Sequence, residues 1–162
     1  MLVRKEYNRL AVVDYAKKWA LSRNPEYYNF QDIGGNCTNF ASQCVFAGSN
    51  VMNYTPLYGW YYINTDNRSP SWTGVEFFYN FMIINKSTGP YAEDLNFINS
   101  EPGDVIQLGN ERNFYHSLVV LENNGSEIYI AANTNDALYR PLSTYNYTNI
   151  RCIHFLGVFT WV

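Results

Sequence analysis

The chain has 162 residues, the length of one ordinary domain, and its 11 basic and 14 acidic side chains leave a net charge of -3. There is no basic stripe and no acidic tail, which removes any electrostatic case for nucleic acid or a membrane surface and leaves a small soluble partner or substrate. No run approaches the roughly 20 apolar residues that span a bilayer, and three cysteines without a CxxC pair point to free thiols rather than a disulfide framework or zinc ribbon.

The opening residues Met1 to Glu6 lack the apolar core of a signal peptide. The chain therefore reads as cytoplasmic if this is its natural start, and as secreted or cell-wall associated if it is a piece of a longer protein. Between residues 7 and 22, Leu10, Val13, Tyr15, Ala16 and Trp19 recur near helical spacing, and Asn24-Pro25 ends the pattern. After a loop ending in Gly34-Gly35, Asn36 stands at an N-cap position. Cys37, Phe40, Ala41, Cys44 and Val45 follow on one helix face, and Gly48 is placed as a stop.

Residues 50–70 are irregular and aromatic, carrying Trp60-Tyr61-Tyr62. With 15 Tyr, 10 Phe and 4 Trp in the chain, this segment and Trp72 form either core or the wall of a binding groove. A helix is predicted over 73–85, stopped by Gly89-Pro90. Beyond Pro102-Gly103-Asp104 the pattern changes to strands at 105–108, 115–121, 127–132 and 150–162. Helices first and antiparallel strands second make an α+β domain, a single one over residues 1–162.

Cys37 and Cys44 are seven residues apart, about 10 Å along a helix, so they cannot bridge. Cys44, among Phe40, Ala41 and Val45, reads as a buried small hydrophobe. Cys37 is in the first turn, where unpaired N–H groups and the helix dipole lower a thiol pKa and can hold an oxyanion. Gly34-Gly35 leaves room for a substrate. A lone cysteine at a helix start is ordinarily structural, and a base decides otherwise. His154 lies near Cys152 in the apolar C-terminal strand and reads as a satisfied core histidine, with a two-ligand metal site as the alternative. His116 opens a strand followed by Asn124-Gly125. If that dipeptide is a two-residue hairpin turn, His116 falls opposite Asn133, close enough for the amide to orient the imidazole. A longer loop shifts the register and brings Asn135 or Asp136 instead. Cys37, His116 and Asn133 thus describe a Cys-His-Asn acyl-transfer site.

Several blocks, collinear over nearly the whole chain, resemble the bacterial putative amidase domain family, related to the NlpC/P60 and CHAP groups of papain-like cysteine hydrolases. They are Tyr7-Asn8-Arg9, Ala16-Lys17-Lys18-Trp19-Ala20, Asn24-Pro25, GGNCTNFASQC at 34–44, Ser71-Trp72-Thr73-Gly74, Gly103-Asp104-Val105-Ile106-Gln107, His116-Ser117-Leu118-Val119-Val120 and Arg140-Pro141-Leu142-Ser143. The resemblance implies a papain-like (NlpC/P60-like) α+β fold, N-terminal helices packed on an antiparallel sheet, with Cys37 as nucleophile and His116 as base. It also implies cleavage of an amide bond in peptidoglycan or a cell-wall peptide. Two positions depart from the family pattern. Asn36 stands where Asp is common before the cysteine, and Asn133 where His is common before Thr-x-Asp. Gln31 has the spacing of the oxyanion-hole glutamine of papain-like peptidases.

The leading expectation is a monomeric cysteine amidase or peptidase that forms a thioester acyl-enzyme and needs no metal or organic cofactor. The alternatives are a non-catalytic cell-wall binding module and an acyltransferase on the same scaffold.

Overall fold

The computed structural model describes residues 1–162. The order of elements is strand β1 (Leu2–Lys5), helices α1 (Arg9–Trp19) and α2 (Cys37–Ser49), the short strands β2 (Tyr62–Asn64) and β3 (Asn67–Arg68), and helices α3 (Pro70–Thr73) and α4 (Val75–Ile84). Strands β4 (Gly89–Leu95), β5 (Val105–Gly109), β6 (Phe114–Asn123), β7 (Ile128–Ala132), β8 (Ala137–Pro141) and β9 (Asn149–Trp161) complete the chain. The fold is α+β, as the helix-then-strand order predicts.

Seven strands form one antiparallel sheet in the order β1-β9-β5-β6-β7-β8, with β4 also pairing β9. Strands alternate their side chains between two faces, and the core divides accordingly. Val105, Val119, Leu121, Ala131 and Ile153 pack under the helices with Phe40, Cys44, Trp60 and Trp72. Ile106, Leu108, Leu118, Val120, Ile130 and Cys152 fill the far face, with Leu142, Phe97 and Tyr145 against them.

Three expectations are corrected here. The Asn124-Gly125 segment is a four-residue connection, in which Asn124 N–H bonds the Glu127 carbonyl and the Asn124 side chain accepts from Ser126 and Glu127 N–H groups. This side-chain bonding favours the longer loop and shifts the register, so that Asn123 pairs with Ile128 and Val119 with Ala131. His116 is therefore not paired with Asn133. Gly48 does not end α2, whose C-cap is Asn50 at φ 55; it lies inside the helix because a Cβ there would be 2.4 Å from Val12 Cγ2 and 2.7 Å from Asn8 O. Trp60 and Trp72 are fully buried with ring centroids 4.8 Å apart, so they are core and not groove wall.

Asp104, also fully buried, ties the N-terminus to the sheet. Its carboxylate accepts from Arg9 Nη1 at 2.8 Å, Phe155 N–H at 3.1 Å and Glu101 N–H at 2.8 Å, and pairs with His154 Nδ1 at 2.9 Å. His154 also lies 3.4 Å from Glu101 Oε2, which makes it a satisfied structural histidine. No three His, Cys, Asp or Glu side chains converge in a way that could hold a metal ion.

Candidate active site

Gly34 and Gly35 have φ of +82° and +97°, and a Cβ on either would meet nothing within 4 Å. Their backbone conformation itself calls for glycine. The turn they make delivers Asn36 into a buried position ahead of the helix. Its side chain makes no N-cap bond. Instead Oδ1 accepts from Phe30 N–H at 2.9 Å and from Asn39 Nδ2 at 2.9 Å, and Nδ2 donates to Asn133 Oδ1 at 3.1 Å. Asn39 Oδ1 in turn accepts from Trp72 Nε1 at 3.0 Å, and Asn133 Nδ2 donates to the Ala20 carbonyl at 2.6 Å. A row of three amides thus fastens the start of α2 to the preceding loop, the end of α1 and α3.

The Asn36 N–H donates to Thr134 Oγ1 at 2.8 Å. Thr134 and Asn135 follow β7 with φ of 66° and 56°, a conformation that costs a β-branched residue energy. The bond to the helix start holds the turn in it. Asp136 does not serve His116, because Arg23 takes both of its oxygens at 3.1 and 2.9 Å. The same arginine donates to Gln31 Oε1 at 2.9 Å, which leaves Gln31 exposed on the loop and away from the thiol.

Cys37 is the first residue of α2 and Cys44 is fully buried two turns on. The Cys37 Sγ lies 3.8 Å from Thr38 Oγ1, and this hydroxyl and the backbone around Cys37, Thr38 and Ser117 favour the thiolate. Burial outweighs these donors and pushes the thiol above its ordinary range. The lowering expected from the helix start is present but loses to desolvation, so the resting group is a neutral thiol.

The Thr38 hydroxyl, 3.0 Å from Ser117 Oγ, joins the start of α2 to the residue that follows His116. His116 pairs with Leu108, while at the next step Gly109 faces Phe114, so Tyr115 is an extra residue and β6 bulges at the histidine. Bulges re-aim side chains and often stand beside active sites. The imidazole lies against Tyr145, ring centroids 5.9 Å apart, on the far-face side, whereas Ser117 turns toward α2. Neither ring nitrogen hydrogen-bonds another protein group, the thiol and Asn133 included. Burial, assisted by the positive charge of Arg140, lowers the His116 pKa to about 4.

The structure thus brings the start of α2 to the strand residue beside His116, and ties Asn133 to the helix of Cys37 instead of to His116. Thr38, Ser117 and Gln107 were not singled out from sequence. The signal was there in Gln107, a lone amide within Val105-Ile106-Gln107-Leu108. Asn36 and Asn133, the two departures from the pattern of the resembled family, touch one another.

The putative amidase domain family matches residues 6–156. The "Uncharacterized protein YhbB" of Bacillus subtilis (strain 168) is 35% identical over 145 residues, covering 83% of this chain and 44% of that protein. The chain therefore spans less than half the length of this relative. No solved structure matches it.

Proposed function

The chain belongs to the putative amidase domain family, and on that premise we propose that it is a papain-like cysteine amidase of one domain, with Cys37 as nucleophile and His116 as base. The supporting observation is Cys37 at the first position of α2, beside the Thr38 hydroxyl that joins this helix to Ser117, the residue after His116. N–H groups of a first turn have no carbonyl partner within the helix, which suits them to the oxyanion of a tetrahedral intermediate.

In the proposed reaction His116 takes the thiol proton as Sγ attacks the amide carbonyl, and the new S–C bond forms. The C–N bond then breaks, and the departing amine takes the proton from the imidazolium. Water, deprotonated by the same imidazole, hydrolyses the thioester and restores the thiol. A histidine whose pKa is near 4 is neutral at physiological pH but a weak base, so taking the thiol proton requires the thiolate and imidazolium to be stabilised together in the substrate complex. Neither ring nitrogen is held by another protein group, and in the proposed reaction the imidazole leaves its place against Tyr145 and meets the thiol only in the substrate complex, where catalytic hydrogen bonds tighten. Asn133 is proposed as a positioning residue for α2, acting through Asn36.

The substrate we propose is an amide of peptidoglycan or a related cell-wall peptide, handled by a monomer without cofactor. Purified peptidoglycan digested with the wild type should release fragments with new amino and carboxyl ends, identified by mass spectrometry, and Cys37→Ala should release none. Equal digests from the two proteins would refute the reading.

A further inference from the structure

Gln107 is a fully buried amide on β5, and its neighbours decide which way round it sits. Arginine can only donate, and Arg151 Nε donates to Gln107 Oε1 at 2.8 Å. The Nε2 group is therefore the one that donates to the Val75 carbonyl at 3.0 Å and to Ser117 Oγ at 3.2 Å. A serine hydroxyl that accepts there keeps its own proton for its other partner, Thr38 Oγ1 at 3.0 Å. Thr38, accepting from Ser117, then has its proton for Cys37 Sγ at 3.8 Å.

From this order we propose that Arg151, Gln107, Ser117 and Thr38 form a one-way hydrogen-bond relay whose last hydroxyl donates to the Cys37 sulfur and stabilises its thiolate. Thr38 touches the reacting atom, and the other three are positioning residues. The proposal rests on the reading of Cys37 as nucleophile. Its far end is rigid. The Arg151 guanidinium lies between the rings of Tyr79 and Phe114, 3.6 and 3.8 Å from their centroids, and bonds the Glu76 carboxylate at 2.7 Å. Because a guanidinium stays protonated at any working pH, the direction of the relay does not reverse on titration. Glu76 and Tyr79 are the titratable groups beside Arg151, on α4, and His116 on β6 is the one next along the strand from Ser117.

The test is the pH dependence of Cys37 alkylation by iodoacetamide, with the label located by peptide mass spectrometry. Gln107→Glu keeps the shape but offers acceptors on both sides. Arg151 still donates to it, Ser117 must turn to donate as well, and Thr38 then donates to Ser117 and leaves the sulfur. The folded variant should show an apparent thiol pKa raised by about one unit, a tenfold loss of thiolate at a given pH. Thr38→Val should do the same, and Thr38→Ser should keep the wild-type profile.

A wild-type profile for Thr38→Val, or equal shifts for the valine and serine variants, would overturn the relay, as would a wild-type profile for folded Gln107→Glu. Should Gln107→Glu fail to fold, the Thr38 pair decides alone. Alkylation reads the thiol and not turnover. A flat result therefore removes the relay with the hydrolase intact, whereas undiminished hydrolysis by Cys37→Ala removes the hydrolase and leaves the thiol shift standing.

Discussion

Cys37 and Cys44 are the same side chain in one helix, separated in fate by what reaches the sulfur. Cys44 lies in the apolar core with no side-chain partner, and burial raises its thiol well above its ordinary value. Burial raises Cys37 too, yet it has a hydroxyl beside it and backbone groups of two elements that favour its thiolate. In the proposed mechanism His116 acts in its neutral form, which sets a measurable expectation. The acid limb of kcat/KM should fall near pH 4 and not near the ordinary 6.5, because protonation below that pH removes the base. Arg140→Gln should move the limb upward by less than half of the shift, since burial is the larger cause. A limb near 6.5 in the wild type would mean that the ring is solvated during turnover. The Asn36–Asn133 bond offers a second test. Asn36→Asp alone replaces a donor with an acceptor facing Asn133 Oδ1 and should cost about 2 kcal/mol, read by urea denaturation. Adding Asn133→His supplies a donor to the carboxylate and should recover at least half of that. Simple additivity of the two changes would deny the coupling.

At the scale of elements, the helices were legible and the sheet only in part. Apolar periodicity located α1 closely because it buries one stripe, and α2, buried on nearly every side, was legible from its start after the paired glycines and its apolar spacing. Periodicity could not show that Gly48 is a contact rather than a stop, since that depends on where α1 crosses α2. Gly48→Ala should therefore destabilise by about 1–3 kcal/mol through overpacking against Val12 and Asn8, more than offsetting the gain of about 1 kcal/mol in helix propensity. A melting temperature at or above that of the wild type would contradict the packing. β5, β6, β7 and β9 were readable as runs rich in β-branched and apolar residues bounded by turn signals. β1, β4 and β8 were not, because short or edge strands with intermediate burial carry weak alternation. The hairpin register failed for a local reason. Asn124 bonds two following N–H groups, and that favoured the longer connection over the two-residue turn.

For the molecule as a whole, what sequence order hides is which distant segments share a partner. β9 pairs with β1, β4 and β5 along its length, and Asp104 joins Arg9 to Phe155. These contacts seat the first helix on a sheet whose last strand ends the chain. The candidate site is built the same way, from α2, β6 and the turn after β7, and only its nucleophile and base were visible as residue types in suggestive places. The row of amides and the relay required three-dimensional neighbours that no spacing reveals. The proposed hydrolysis stands on a covalent step at one sulfur. Intact and peptide mass spectrometry of protein quenched in acid during turnover of a cell-wall peptide amide tests it most directly. The expected result is an acyl adduct on Cys37, labile to hydroxylamine and absent from Cys37→Ala. Turnover that continues in Cys37→Ala, or an adduct carried by any other residue, would contradict it.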